Sequence, residues 1–462
     1  MSDQFDPIEE WLGTDIELLP PQAGAFAQIH RRARRRKAMV AMSTAAGAAV
    51  AIAAAAVLPQ LASALQPGHG PPANVGPVAS TSHSPRPGHH KSATPSHSPA
   101  TRPSGAQQTG SNESITSANV PPAPGIAPSS ITFVNDGAVG AVIGETTSGC
   151  AAGCEAVAAT PDYGRSWFKA DVPPAGPPNG NSGVSQIRFL EPTNGWAYGP
   201  GLYVTHDGGA TWAKAGGVPG RVIDLATVNG SAYAVVASCT GTGADFASGC
   251  TSFALYTSPF SSNDFQPVPG ASGKGSVEPG GLQLTNGNGY LLAGHRLYSG
   301  SPNGGPWRAV AIGPGTVPAC LSASGHGVAA GESGLLAPSA ASNLYLLCQP
   351  AGGGSGSLYA STDAGASWQL DGQVKAQGTG TSLAVAPGSG TLVLATSSGL
   401  YYSPDAHHWH RASLSGQPSA NGFVFVGMTT QQNGVAIPAD PASQSIYVTN
   451  DGGLTWHPKR IA

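Results

Sequence analysis

Between residues 186 and 214 the chain sets apolar side chains against polar ones in short runs, each run closed by a turn. Gln186-Ile-Arg-Phe-Leu190 alternates as a half-buried strand does, and Pro192-Thr-Asn-Gly195 reverses the chain. Trp196-Ala-Tyr198 predicts a second strand, Gly199-Pro-Gly201 a turn, and Leu202-Tyr-Val-Thr205 a third strand. His206-Asp-Gly-Gly-Ala210 then turns into a fourth, Thr211-Trp-Ala-Lys214. The same order recurs in the last unit as Phe423-Val-Phe-Val426, Gly434-Val-Ala-Ile437, Ser445-Ile-Tyr-Val448 and Thr455-Trp-His457. Leu383-Ala-Val385, Leu392-Val-Leu394 and Leu400-Tyr-Tyr402 repeat it once more.

Seven such units end at Trp167, Trp212, Phe265, Trp307, Trp368, Trp409 and Trp456, at intervals of 45, 53, 42, 61, 41 and 47 residues. Four antiparallel strands repeated at this spacing describe a propeller blade. Separate four-stranded sheets would leave their faces and edges open, whereas a closed ring protects them. The expected fold is therefore all-β: a seven-bladed β-propeller of four-stranded antiparallel blades over residues 128–462. Its first strand begins near Ile131 and its last ends at Lys459. Each unit supplies its own four strands, and the pattern does not say how the ring closes.

Ahead of the repeats the pattern changes. Residues 38–58 carry no charge and are long enough to cross a bilayer, although mostly Ala. Arg31-Arg-Ala-Arg-Arg-Arg-Lys37 precedes them and places residues 1–37 in the cytoplasm by the positive-inside rule. The expectation is a single-span signal anchor in the cell membrane, with everything after Leu58 outside. The alternative is a secreted chain cleaved after Ala64, since Ala62-Ser63-Ala64 is an A-x-A site. Residues 59–127 are rich in Pro, Ser, Thr, Ala and His, and read as a disordered linker or stalk. Its irregularly spaced histidines do not form a metal-ligand pattern. In the tail, Phe5-Asp-Pro-Ile-Glu-Glu-Trp-Leu12 is an acidic–apolar patch with the look of a short helix.

Composition narrows the partners. Only 10% of the 462 residues are charged and the net charge is −3, so there is no basic field to hold nucleic acid. The 65 glycines and 41 prolines suit many turns. All six cysteines, Cys150, Cys154, Cys239, Cys250, Cys320 and Cys348, follow the anchor, where an oxidising compartment favours disulfides. Sequence proximity suggests 150–154, 239–250 and 320–348 among the 15 possible pairings of six cysteines. A monomer with no cofactor and no metal site is expected.

The clearest copies of the closing phrase are Thr160-Pro-Asp-Tyr-Gly-Arg-Ser-Trp167, Thr205-His-Asp-Gly-Gly-Ala-Thr-Trp212, Ser361-Thr-Asp-Ala-Gly-Ala-Ser-Trp368 and Thr449-Asn-Asp-Gly-Gly-Leu-Thr-Trp456. Ser403-Pro-Asp-Ala-His-His-Trp409 is one residue short, and the copies ending at Phe265 and Trp307 are worn. The pattern resembles the Asp-box, or BNR repeat, of sialidase-type propellers. Its chemistry reads as a clasp rather than a ligand site. Asp162, Asp207, Asp363, Asp405 and Asp451 can accept backbone N–H groups across the turn, and Gly164, Gly208, Gly365 and Gly452 can take positive φ. The closing Trp buries its ring against the neighbouring blade.

Sialidase-like propellers imply an exo-glycosidase site with an arginine triad, a Tyr–Glu pair and an Asp acid. Here Arg188, Arg221 and Arg296 are the central arginines, the glutamates are Glu145, Glu155, Glu191, Glu278 and Glu332, and no motif gathers them. Residues 187–212 are also similar to the repeats of seven-bladed photosystem II assembly-factor propellers, through Ile187, Phe189, Gly195-Trp-Ala197, Thr205 and Asp207-Gly-Gly-Ala-Thr-Trp212. That resemblance implies a non-catalytic binding scaffold for protein or glycan. The Ala- and Gly-rich chain with one basic anchor looks like an actinobacterial surface protein. A cell-wall spacer with no specific ligand is a further alternative.

His407, His408 and His410 surround Trp409 and read as surface residues of a degenerate box. The loops at 239–250 and 327–342 lengthen their blades, and long loops on a rigid scaffold are where binding resides.

Overall fold

In the computed structural model, residues 122–134, 137–146, 154–176, 182–241, 246–321, 332–350, 352–416, 421–440 and 442–462 are described. The tail, the membrane span and the linker up to residue 121 lie outside them. No helix among the described residues is long and apolar enough to cross a membrane.

The strands form seven sheets, each assembled from consecutive strands in sequence order. Blade 1 spans 127–170, blade 2 186–214, blade 3 221–274, blade 4 277–309, blade 5 332–374, blade 6 380–411 and blade 7 423–460. Successive first strands touch one another round the ring, and the first strand of blade 1 meets blade 7. First strands therefore line the axis and fourth strands lie outside. The fold is a seven-bladed propeller of four-stranded antiparallel blades, with each blade built from its own strands.

Both faces of a blade are apolar, so the core is divided into seams. Seven buried clusters fill the seven interfaces between neighbours. The cluster between blades 2 and 3, for example, packs Trp196, Tyr198 and Val204 against Val222, Leu225 and Phe265. Strands buried on both faces lose the clean alternation of a half-exposed sheet. The second strand of blade 6, Leu392–Thr396, is buried at every position. The first strand of blade 5, Glu332–Pro338, is easily mistaken for loop for a different reason: Glu-Ser-Gly-Leu-Leu-Ala-Pro has no polar–apolar alternation, and most of it is only half-buried. The extra loop expected at 327–342 is corrected accordingly. The long interval between Trp307 and Trp368 instead lengthens the connector that leads from Ala309 to Glu332.

A recurring contact holds several of the outer edges. After its fourth strand, the chain crosses to the next blade and meets that blade's box at the backbone. The Gly216 N–H donates to Asn263 O at 2.9 Å and Phe265 N–H donates back to Gly216 O at 3.1 Å. Trp307 N–H donates to Pro269 O at 2.8 Å, and Gly313 N–H to Ala366 O at 2.8 Å. Between blades 6 and 7 the crossing segment becomes a short strand, Ser413–Leu414, parallel to Thr455–Arg460. At the blade-2 box a side chain makes the contact instead: Trp212 Nε1 donates to Asp171 O at 3.0 Å.

Blade 7 has no successor to cross to, and the chain entering blade 1 fills the vacancy. Ala123 N–H donates to Trp167 O at 3.1 Å, and Pro122 bridges Phe168. Ile126 is fully buried with Ile131, Trp167, Val435, Ile446 and Ile461 in the seam between blades 7 and 1. The linker expected over 59–127 therefore ends earlier, because residues from 122 onward are docked by these contacts. Ile126→Ala should lower unfolding stability by about 2–5 kcal/mol in urea titration, the range for cavity-forming Ile truncation. An unchanged midpoint would remove the segment from ring closure.

Candidate functional site

Four boxes share one hydrogen-bond pattern. In blade 2, Thr205 Oγ1 donates to Asp207 Oδ1 at 3.0 Å and accepts the Gly209 N–H at 2.9 Å. Asp207 Oδ1 also accepts the Thr211 N–H at 2.8 Å, while Oδ2 accepts the Thr211 hydroxyl at 2.6 Å. The same contacts join Thr160, Asp162, Gly164 and Ser166. They recur for Ser361, Asp363, Gly365 and Ser367, and for Thr449, Asp451, Gly453 and Thr455. Each carboxylate is thus occupied by its own turn, leaving little capacity for a ligand.

All four expected glycines take positive φ, but in two blades the residue that donates to the box hydroxyl is the next one. Gly209 and Gly453, rather than Gly208 and Gly452, stand where Gly164 and Gly365 donate to the box hydroxyl. Gly208 and Gly452 occupy the preceding left-handed position, at φ 73° and 77°. Their N–H groups reach the first turn of the same blade, at Thr193 O and Gln432 O, both 2.9 Å away. Tyr163 and Ala364 do the same at φ 62° and 61°, despite the cost of this conformation for a residue with Cβ. The box is therefore two consecutive left-handed residues that lock both turns on one face of the ring.

In the shortened blade-6 box, Asp405 accepts the N–H groups of His407 and His408, at 3.0 and 2.8 Å. His408 Nδ1 meets Asp405 Oδ2 at 2.6 Å in place of the missing hydroxyl, and the bond to His408 leads in holding Asp405 well below the ordinary carboxylate range. His407 faces Asp371 of blade 5 at 3.8 Å. The rings of Trp167, Trp307, Trp368 and Trp456 are buried, and those of Trp212 and Trp409 are half-buried.

Strand direction puts the first and third turns of every blade on one face of the ring, the box face. The second turns and the blade-to-blade connectors share the other. Both disulfides with two described partners lie on this second, loop-bearing face. Cys239–Cys250 joins the ends of the second and third strands of blade 3, and Cys320–Cys348 ties the blade 4–5 connector to the second strand of blade 5. Cys154 is disulfide-bonded, and its expected partner Cys150 lies outside the described residues. Arg221 donates to the carbonyls of Gly241 and Phe246, which braces the same blade-3 loop.

The central arginines serve separate ends. Arg221 is engaged by that loop. Arg188 lies on the first strand of blade 2 beside buried Tyr198 and Asp224, both almost sealed from solvent. Burial raises both of these acids, Tyr198 to about 12, with Arg188 opposing the shift. Arg296 is exposed at the start of the third strand of blade 4. Arg188 itself is half-buried. Glu155 stands opposite Glu145 on adjacent strands, with both oxygens shielded, and burial pushes it up to about 8 against the pull of the Val184 N–H. Glu278 is raised by burial as well. Glu332 begins the first strand of blade 5 and Glu191 bonds Thr193 and Asn194 in a box-face turn.

A set of axial staples was not anticipated. Asp224 accepts the Leu282 N–H of blade 4 at 2.9 Å, the Ser130 hydroxyl accepts Ile187 N–H at 3.2 Å, and Ser382 Oγ donates to Val426 O at 3.1 Å. Gln349 pairs with both backbone groups of Gly380, at 2.8 and 3.0 Å. The first three join the first strands of neighbouring blades, and Gln349 reaches the first strand of blade 6 from the second strand of blade 5. The signal is a polar residue just before the buried apolar residue of a first strand, but Gly281, Leu335 and Phe425 interrupt it.

No family model matches the chain, and no curated protein matches it. Among solved structures, "YCF48 bound to D1 peptide" is 16% identical, covering 72% of this chain and 97% of its own length, at a TM-score of 0.44. YCF48 from Cyanidioschyzon merolae is 14% identical over 60% of this chain and 85% of its own, at 0.40. An ancestral GH74 enzyme is 14% identical over 73% of this chain and 47% of its own, at 0.48.

Two predictions follow from the ionisation of these groups. Partial burial raises Asp162 and Asp451, but the bonds from Ser166 and Thr455 and their neighbours outweigh it and hold both below 3.8; Asp363 is held down chiefly by Ser367. Their stabilisation is present above that value and lost as pH falls through the folded values. Asp451→Ala should cost about 2–3 kcal/mol at pH 7 by urea titration, with the deficit shrinking as the pH falls below 3.8. Glu155 behaves oppositely: between its unperturbed 4.5 and its folded value of about 8 the folded state keeps a proton the unfolded chain releases. Stability from this group is full below that window and lost across it. Glu155→Gln should match the parent near pH 4.5 and exceed it at pH 8.5 by on the order of 2 kcal/mol; equal stability at both would refute the buried acid.

Proposed function

We propose that this chain is a membrane-anchored, extracytoplasmic binding scaffold that presents the loop-bearing face of its propeller to a protein or glycan partner. The observation that carries this reading is the placement of the covalent bracing. Both fully described disulfides and the Arg221 clamp stiffen segments of the loop-bearing face, while the opposite face is closed by self-satisfied boxes. Stiffening a loop before contact lowers the entropy cost of binding. Oxidised cysteines also suit an exported domain, in keeping with an anchor at residues 38–58 and a stalk that lifts the ring from the membrane.

The experiment is site-directed photocrosslinking of the full chain in its own membrane. Probes at Thr240 and Ser248 on the loop-bearing face should capture a defined partner, and a probe at Tyr163 on the box face should not. Replacing 240–249 with a Gly–Ser segment should weaken that capture at least tenfold without changing the unfolding midpoint. Equal capture from both faces would overturn the assignment. Protease treatment of intact cells should remove the propeller and spare residues 1–37; protection of the propeller would overturn the topology.

A further inference from the structure

On the box face, the seam between blades 6 and 7 opens into a cleft of about 430 Å³, within the range of roughly 300–1,000 Å³ seen for small-ligand sites. One wall carries Tyr402 and His410, cross-strand partners on the third and fourth strands of blade 6. Their ring centroids are 5.4 Å apart and the planes are inclined by 31°. The other wall belongs to blade 7: the side chain of Leu454, 44% exposed, and the amides of Gln431 and Gln432. Hydroxyls of Ser389 and Thr391 close one end.

This pair of rings is peculiar to blade 6. The cross-strand pair beside the box is Val204 with Ala213 in blade 2 and Ala360 with Gln369 in blade 5, and no other blade sets two rings there. It coincides with the box that is one residue short, where His408 replaces the hydroxyl. Two departures from the repeat thus fall in one blade, the short box toward blade 5 and the ring pair toward blade 7. Neither is required by the clasp, since the other blades keep their fourth strands without them.

We propose that this cleft binds a neutral, glucose-type oligosaccharide. A pyranose with equatorial hydroxyls has an apolar C–H face and a polar rim. Exposed ring faces and Leu454 match the first, because such surfaces are poorly hydrated and gain from contact. Planar amides and hydroxyls match the second, exchanging hydrogen bonds with water for bonds with sugar. Asp451 at the floor fixes the charge. Its carboxylate already accepts the hydroxyls of Thr449 and Thr455 and the N–H groups of Leu454 and Thr455, and it stays ionised. It therefore repels an anionic sugar without offering spare acceptor capacity. The cleft is open along the surface, which suits an internal stretch of a chain rather than a capped end. This site is distinct from the loop-bearing face, and its existence does not depend on what that face binds.

The test is saturation-transfer NMR and calorimetry on the full chain in lipid nanodiscs, with cellotetraose, maltotetraose and 3′-sialyllactose as probes. At least one neutral tetrasaccharide should bind, and sialyllactose should not. His410→Ala and Gln431→Ala, both at exposed side chains, should each weaken that binding at least fivefold with unchanged unfolding midpoints. Tyr402→Phe should retain it. Absence of binding by both neutral sugars overturns the proposal, as does binding of sialyllactose with equal affinity. Binding that survives His410→Ala and Gln431→Ala but is lost when 240–249 is replaced also overturns it, while leaving the loop-bearing face as the partner site.

Discussion

Everything in this propeller depends on covering the outer edge and the two apolar faces of a four-stranded sheet. An isolated blade would expose a row of unpaired backbone groups and two layers of buried-type side chains. The ring solves the faces by seams, one buried cluster between each pair of neighbours. It addresses the outer edge by drawing the chain that leaves one blade across the box of the next. The Trp or Phe of the box fills the seam from outside, and its backbone receives the crossing segment, as Phe265 receives Gly216 and Trp307 receives Pro269. One short phrase therefore serves a turn, a seam and an edge together.

The same constraint explains what was legible from sequence. Blade number, strand order and most strand limits follow from local chemistry: a carboxylate two residues beyond a hydroxyl, glycines, then a ring. Such signals survive in a single sequence because their partners lie within eight residues. Contacts between blades have no such signature. The docking of Pro122–Ile126 depends on carbonyls and apolar groups more than forty residues away or at the other end of the chain, and its residues sit in a Pro-rich stretch that reads as linker. Asp224 and Ser382 staple neighbours, yet the matching positions in other blades hold Gly281 or Phe425 and break the pattern. The glycine pair in Asp207-Gly-Gly defeats sequence register for a simpler reason. Both residues are left-handed, and only their hydrogen bonds tell them apart.

Strand direction then divides the two faces. Box turns lie together on one face, and each box carboxylate is taken up by its own turn. The other receives the second turns and the connectors, whose lengths vary from a tight pair of residues at Ala293–Arg296 to the long passage ahead of Glu332. Variation in length needs restraint, and the disulfides and Arg221 supply it there. Restraint and variability thus coincide on one surface.

Redundancy among seven clasps also decides where the box face can change. In blade 4 the aspartate is gone, yet Trp307 stays fully buried, because Gly289 and Gly300 let the ring lie directly on the sheet. In blade 3 a Phe replaces the Trp and is no less buried. Loss of the carboxylate therefore does not unseat the ring when backbone and packing hold it. Blade 6 takes a third course: its box is shorter, its hydroxyl role passes to His408, and Trp409 is only half-buried. The half-buried Tyr402 still packs against the blade 6–7 core, and His410 on the next strand is exposed beside it. Trp409 packs in the seam with blade 5, so its loosening leaves the blade 6–7 seam, filled by the fully buried Trp456, intact beneath the cleft.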